Sequence, residues 1–268
     1  MKKAVILHGS FDPAHLRHLA YARQISRHNG NCVVFMQPQE GENFRQRCRL
    51  VELLTKGWKN IRLYKPRTAK KYEIIKHQTT EDDEDINRVW SFLSRRQQAY
   101  IMEKGMYCQQ LFEPLVSQHR WQHMQQVALL AKDVAAHAGI DPGKAYMAGL
   151  CHDVAKHFDS AELKWYMETF YPAYTDVIEP LWHEFAGAVD LSRHFRLRDK
   201  DILKAVRHHA TGDDEAPLSM LIYSCDKLDP SRGYDSSATV ELCRRNLKEG
   251  FHEVKRQQKE YLKQEGLI

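Results

Sequence analysis

Six side chains beyond residue 112 of the 268-residue chain are of the types that hold divalent metal: His123, His152, Asp153, His183, His209 and Asp226. Cys151 precedes His152, with Ala148 and Leu150 in the turn before it, and Asp226 follows the run Leu221-Ile222-Tyr223-Ser224-Cys225. These are settings for burial. An unpaired buried carboxylate is very costly, and a metal is its simplest partner. His183 has Ala186 and Gly187 at i+3 and i+4, small residues that admit a neighbouring helix. Four neutral imidazoles and two carboxylates against two divalent cations (+4 − 2) leave a net +2. That surplus suits a phosphate oxyanion and an activated water. The mixed nitrogen and oxygen donors fit iron, manganese, zinc or another first-row metal and disfavour calcium.

The elements that must position this set are helices, one for each ligand apart from the adjacent His152-Asp153 pair. Ser117 caps a helix whose apolar face is Met124, Val127, Ala128, Ala131, Val134 and Ala138, and Gly139 stands where a terminating glycine belongs. Asp141-Pro142 supplies an N-cap and N1 proline for a helix through His157. Further helices are expected from Asp159 or Ser160 to about Phe170, then over Glu179–Phe195, Asp199–His209, Pro217–Leu228 and Thr239–Gln264. Residues 1–64 read differently. Strands at Ala4–Leu7, Cys32–Met36 and Asn60–Tyr64 alternate with helices at Leu16–Arg27 and Arg45–Lys56, a parallel α/β pattern. Residues 65–85 read as an exposed connection or a poorly ordered insert, with Glu81–Asp85 a solvated loop or helix N-terminus, and 86–110 as helical.

Composition sets the limits. With 43% hydrophobic and 28% charged residues the chain can bury real cores, so wholesale disorder is excluded. Forty Lys+Arg against 35 Asp+Glu give +5, too modest for a nucleic-acid binder but suited to a polyphosphate. The six cysteines form no CxxC pair, which favours reduced thiols over disulfides or a thiolate zinc site. The longest apolar runs are too short to span a membrane, and the start MKKAVILHGSFDP lacks the apolar run of about 7–15 residues that a secretory leader needs. The expected compartment is the cytosol.

The order His123 … His152-Asp153 … Asp226 resembles the HD superfamily of metal-dependent phosphohydrolases, and the wording is closer still to the YqeK family. HRWQH at 119–123, CHDVAK at 151–156, LWHEFAGA at 181–188, AVRHHATG at 205–212 and IYSCDKLDPSR at 222–232 follow its segments in order. The resemblance implies an all-helical, dinuclear enzyme that hydrolyses diadenosine tetraphosphate symmetrically to two ADP, a bis(5'-nucleosyl)-tetraphosphatase. It implies one metal, iron or else manganese or another first-row metal, on His123, His152, Asp153 and Asp226, and a second on His183 and His209, with Asp153 bridging. His209 rather than His208 is the expected ligand, by one residue of alignment. Two cations about 3.5–4 Å apart bring a shared water toward neutral pKa for in-line attack on an inner phosphorus. Asp153 and Lys156 are the expected catalytic pair, with Lys156 one turn on from Asp153 and facing the phosphate or the leaving ADP. Thr211 and the Gly212 backbone are expected to hold phosphate, Arg232 to clamp the outer phosphate, and Trp182 to pack on adenine or fill the core. His119, His137, His157, His194, His208 and His252 are given no role.

In the first half, Gly9-Ser10-Phe11-Asp12-Pro13-Ala14-His15-Leu16-Arg17-His18 follows a strand and opens a helix. It resembles the signature of nucleotidyltransferases, above all nicotinate-mononucleotide adenylyltransferases. The resemblance places Gly9, Ser10, Phe11, His15 and His18 at ATP phosphates, where helix amides favour anions. Arg17 replaces a glycine of that signature, His8 replaces the first glycine, and the family's later Ser/Thr-rich motif is not recognisable. YIMEKGMY at 100–107 is similar to the family's C-terminal helix.

The expectation is an α+β two-domain chain. Residues 1–110 form a truncated Rossmann-like α/β nucleotidyltransferase domain, degenerate and without transfer activity, and residues 111–268 form an all-α HD phosphohydrolase domain. The cofactors are two divalent ions and the partner is a nucleotide polyphosphate, with no membrane or nucleic acid and with a homo-oligomer compatible. Retained adenylyltransferase activity and a non-catalytic nucleotide sensor are the alternatives.

Overall fold

The computed structural model describes residues 2–79, 85–174, 176–230 and 233–266. The chain divides into two compact units, 1–110 and 111–268. The first runs β1 (Lys2–Gly9), α1 (Leu16–His28), β2 (Val33–Pro38), α2 (Phe44–Thr55), β3 (Ile61–Leu63), α3 (Pro66–Ala69), β4 (Tyr72–Gln78), α4 (Ile86–Val89) and α5 (Arg95–Glu103). A short helix α6 (Cys108–Phe112) crosses the division.

The four strands are parallel in the order β3-β2-β1-β4, with Val5 level with Val34 and Ile75. Both faces are covered, so Ala4–Leu7 reads as a continuous apolar run rather than an alternation. Val5 and Leu7 join Leu19, Ala22, Val51 and Leu54 in one core, while Ala4, Ile6 and Phe35 join Ala69 in the other.

The fourth strand corrects the expectation for residues 65–85. Tyr72 and Ile74 pack half-buried against Ala4, Ile6 and Phe35, while Glu73, Ile75, Lys76 and His77 face solvent. A charged edge strand with one half-buried face has the composition of a loop. Asp85 caps α4 by accepting from Asn87 N, and Glu81–Glu84 lie outside the described residues.

The second unit is helical: α7 (Gln118–Ala138), α8 (Pro142–Cys151), α9 (Ser160–Phe170), α10 (Trp182–Arg193), α11 (Lys200–Arg207), α12 (Pro217–Leu228), α13 (Ser237–Arg245) and α14 (Leu247–Gln264). Ser117 accepts from Arg120 N at the start of α7, Gly139 ends it at φ +69°, and Asp141 accepts from Gly143 N and Lys144 N at the start of α8. Among the described residues no helix is long and apolar enough to cross a membrane.

Two expected helices are broken. The one expected through His157 stops at Cys151, and residues 154–157 form a 3-10 turn. The His152 ring caps it, with Nδ1 2.7 Å from Gly149 O. The helix expected over Thr239–Gln264 splits at Asn246, whose extended backbone (φ −152°, ψ 94°) ends α13 and whose side chain caps α14. Gly250 permits the fold-back, because a Cβ there would strike Cys243 of α13.

Gly149 does the same for α7 and α8. A Cβ at Gly149 would lie 2.6 Å from Ala128 Cα, a backbone atom that cannot swing aside. Gly149→Ala is therefore expected to lower unfolding free energy by about 1–3 kcal/mol, the usual cost of overpacking, as read by denaturant titration of helical circular dichroism. The same change pushes apart the helices that carry His123 and lead into His152.

Candidate metal centre

The fold brings all six expected ligands together from five places: His123 on α7, the His152-Asp153 turn after α8, His183 in the first turn of α10, His209 in the turn after α11, and Asp226 in the last turn of α12. All six are buried. His123 Nε2 is 3.1 Å from Asp226 Oδ1, and His152 Nε2 is 3.8 Å from the same oxygen. Asp153 stands between two groups. Its Oδ2 is 3.6 Å from His152 Nε2 and 4.0 Å from His123 Nε2, while its Oδ1 is 3.2 Å from His209 Nε2 and 3.4 Å from His183 Nε2. His183 and His209 place their Nε2 atoms 3.1 Å apart.

Each imidazole is held from behind. Nδ1 of His152, His183 and His209 meets the carbonyl three residues earlier, at Gly149 (2.7 Å), Pro180 (2.8 Å) and Val206 (2.7 Å). Nδ1 of His123 meets Asp229 Oδ2 at 2.6 Å. A carbonyl can only accept, so Nδ1 of His152, His183 and His209 carries a proton and their Nε2 atoms face inward, as in metal-binding histidines.

The donor set fits divalent metal. The Nε2 atom of His152 is buried with no hydrogen-bond partner, and such an orphan needs explanation. Two ligands each about 2.1 Å from one ion at tetrahedral or octahedral angles lie about 3.0–3.4 Å apart, close to the separations seen. Two further combinations of these residues also bring ligand atoms within 4.8 Å of one another: His152 with His209 and Asp226, and Asp153 with His183 and His209.

The charge states follow the geometry. Burial would raise Asp153, but His152, His209 and His183 hold its carboxyl well below the usual range. Burial pulls His152 down to about 4, and burial with the neighbouring His209 pushes His183 down to about 3. Burial also opposes charge on His123 and His209, but Asp226 and Asp229 outweigh it and lift His123 to about 9, while Asp153 lifts His209.

The remaining expected residues are placed as follows. Lys156 is solvent-exposed in the 3-10 turn and its amide donates to Asp153 O at 2.9 Å; i and i+3 eclipse in such a turn, so it stacks over Asp153 without the α-helix expected there. Partial desolvation lowers its ammonium pKa against the pull of Asp153. His208 lies beside Asp213 and apart from the centre, so the structure brings in His209. Thr211 donates its hydroxyl to Asp213 and its amide to Glu184, and the Gly212 amide donates to His208 O, so both amide protons are engaged. Trp182 is partly buried, its indole donating to Val177 O at 2.7 Å. Arg232 lies outside the described residues.

Four residues around the centre were not singled out from sequence. Arg120 pairs with Asp153 Oδ2 at 2.7 Å, and Lys227 with Asp226 Oδ2 at 2.6 Å. Asp229, fully buried, holds His123. Glu184 is fully buried, with Oε1 3.0 Å from Arg207 and Oε2 accepting from Ala210 N and Thr211 N, which fixes the turn bearing His209. Spacing offered a signal for two: Arg120 is one turn before His123, and Asp229 is three residues after Asp226. Glu184→Gln removes the anion from the buried Arg207, whose guanidinium lies 3.1 Å over the Phe185 ring. The expected cost is about 1.5–3 kcal/mol of unfolding free energy, by denaturant titration of the metal-free protein.

In the N-terminal unit, His15 and His18 are buried and cap their own helix. Arg17 N donates to His15 Nδ1 and His15 N to His18 Nδ1, each at 3.3 Å. Burial and the neighbouring His15 push His18 down to about 3, so it is neutral. Phe11 is fully buried, Ser10 is half-buried, and Gly9 abuts Thr79, where a Cβ would come within 2.6 Å of the hydroxyl. The Arg17 guanidinium lies 4.6 Å over the Phe92 ring.

The HD domain family matches residues 120–231, a span that contains all six ligands. The symmetrical bis(5'-nucleosyl)-tetraphosphatase of Halalkalibacterium halodurans is 31% identical over 129 residues, which are 47% of this chain and 68% of that protein. The chain belongs to the HD-domain family of hydrolases. HD domains bind divalent metals, in keeping with the cluster here. A probable nicotinate-nucleotide adenylyltransferase/Ap4A hydrolase of Mycoplasma pneumoniae is 30% identical over 161 residues, 56% of this HD-domain chain, which spans less than half (45%) of that relative. A solved structure, described as a predicted HD superfamily hydrolase involved in NAD metabolism from Clostridium acetobutylicum, is similar at a TM-score of 0.49 and 20% identity, over 65% of this chain and 89% of that one.

Proposed function

We propose that the HD unit hydrolyses dinucleoside polyphosphates and cuts diadenosine tetraphosphate symmetrically into two ADP. The observation that carries this reading is Asp153, which turns one oxygen to the His123–His152 side and the other to the His183–His209 side. His123, His152, Asp153 and Asp226 would hold one divalent ion and His183, His209 and Asp153 the second, with iron the first candidate and manganese the next. Such ions bring a bound water toward neutral pKa and polarise phosphoryl oxygens. The names of the relatives supply the substrate class.

The chain's own residues orient the phosphate. Lys156, stacked over Asp153, offsets charge on the phosphoryl oxygens, and its lowered pKa eases proton donation to the departing ADP. Arg232 is proposed to grip the outer phosphate. Trp182 remains a proposed contact, through its ring; the Gly212 amide and the Thr211 hydroxyl, both already donating within the protein, are dropped from that set. The test is product analysis by anion exchange with Fe²⁺- or Mn²⁺-loaded protein. ADP as the sole product supports the reading; ATP with AMP, or no turnover, overturns it.

For the N-terminal unit we read a truncated nucleotidyltransferase-like fold whose phosphate corner is closed, because His15 and His18 serve their own helix. Pyrophosphate release from ATP and nicotinate mononucleotide, lost in His15→Ala/His18→Ala, would reverse that reading.

A further inference from the structure

Two turns of α14, from Val254 to Tyr261, present one face of mixed chemistry. Val254, Gln257, Gln258 and Tyr261 stand at i, i+3, i+4 and i+7, which is one side of a helix. The face begins in the core, with Phe251 and Val254 buried, and leaves it at the two glutamines, which are half-buried. It ends on Tyr261, which is 54% exposed. The same four residues wall a cavity of about 530 Å³, completed by Lys227 and Tyr234 from the end of α12 and the loop beyond it. Tyr234 is 48% exposed and its hydroxyl donates to Lys227 O, which ties that wall to α12.

The cavity adjoins the metal centre through one side chain. Lys227 lines it, and its Nζ lies 2.6 Å from Asp226 Oδ2, while Asp226 Oδ1 is 3.1 Å from His123 Nε2. Its volume falls in the range of about 300–1,000 Å³ usual for small-molecule sites. Its lining is what a nucleobase needs. Two tyrosine rings offer π-faces for stacking, the Gln258 amide offers a donor and an acceptor to a base edge, and the Gln257 amide offers its oxygen. The Gln257 amide is fixed in plane, because its Nε2 donates to Thr239 Oγ1 at 3.1 Å and to Glu253 Oε1 at 2.8 Å. Lys227 thus belongs both to the cavity lining and to the ion pair with Asp226.

We infer that this cavity between the end of α14 and the end of α12 is a nucleobase subsite, which seats the nucleoside of a nucleotide whose phosphates lie on the six-residue centre. The inference rests on the reading of the HD unit as a nucleotide polyphosphate hydrolase and adds where the base goes. Tyr261 and Gln258 are its specificity residues.

The test is calorimetric and needs no turnover. Dissociation constants of ADP and of inorganic pyrophosphate are measured on Mn²⁺-loaded wild type, Tyr261→Ala, Tyr261→Phe and Gln258→Ala. Wild type is expected to prefer ADP by about tenfold or more. Tyr261→Ala should erase most of that preference by weakening ADP alone, Tyr261→Phe should retain it, and Gln258→Ala should reduce it. Equal affinity for ADP and pyrophosphate in wild type overturns the inference, as does an ADP preference untouched by Tyr261→Ala. If that preference is lost in the variant but wild type fails to split diadenosine tetraphosphate, the subsite stands and the hydrolase reading falls. If wild type splits it and the preference survives the variant, the reverse holds.

Discussion

Asp153→Asn is expected to reduce hydrolysis of diadenosine tetraphosphate by about a thousandfold or more, or about 4 kcal/mol in the barrier. Asp153 sets one carboxylate oxygen toward each imidazole pair, with separations of 3.2 to 4.0 Å on its two oxygens. Asparagine keeps the shape but offers only one, uncharged, oxygen as a ligand, so one side of the centre loses its anionic donor. Two readouts separate this from unfolding. Bound manganese should fall from two ions to one or fewer by elemental analysis, while the circular dichroism spectrum is unchanged. Near-wild-type turnover, or two tightly bound ions in the variant, would remove Asp153 from the bridging role. Arg120 sharpens the comparison. Its ion pair with Asp153 Oδ2 is partly exposed and holds the carboxylate from outside, so Arg120→Ala should weaken metal binding far less than loss of the carboxylate itself.

Much of this centre was legible from residue types, because a metal site demands His and Asp whatever the chain does between them. Helix boundaries were legible where capping chemistry is local, as at Ser117, Gly139 and Asp141-Pro142. What escaped was decided by tertiary contact. The turn at His152 depends on an imidazole meeting its own helix's carbonyl, and the break at Asn246 on Gly250 packing against Cys243. β4 escaped because an edge strand buries one side only, so Glu73, Lys76 and His77 masked the pairing of Tyr72 and Ile74. Glu184 escaped for a different reason. An acid next to a ligand histidine reads as a solvated charge until Arg207 and the amides of Ala210 and Thr211 are seen to enclose it. In the N-terminal unit the signature residues were found, but only the fold shows His15 and His18 turned to their own helix.

Metal affinity should fall steeply with acid, over a window set by His123. In the metal-free protein His123 lies between Asp226 Oδ1 at 3.1 Å and Asp229 Oδ2 at 2.6 Å, and these carboxylates outweigh burial to lift it to about 9. A ligand imidazole must be neutral, so below pH 9 the first ion displaces a proton, and its apparent affinity drops about tenfold per pH unit. His209, raised by Asp153, adds a second proton for the second ion. His152 and His183 add none near neutrality, because burial already keeps them uncharged, at about 4 and about 3. The stability of the metal-free protein moves the opposite way. A pKa raised on folding contributes stability that is fully present below the unfolded value of about 6.5 and is lost as pH rises through about 9. The depressed His152 and His183 remove stability as pH falls below about 6.5, so the metal-free protein is most stable near there. Chelator competition at pH 6, 7, 8 and 9 measures the affinity slope, and denaturant titrations with and without manganese measure the other. Asp229→Asn takes one carboxylate from His123 and should flatten the affinity slope between pH 7 and 9. A slope near zero in wild type over that range would mean that His123 does not change charge when the ion binds, and would overturn its raised pKa as the source of the window.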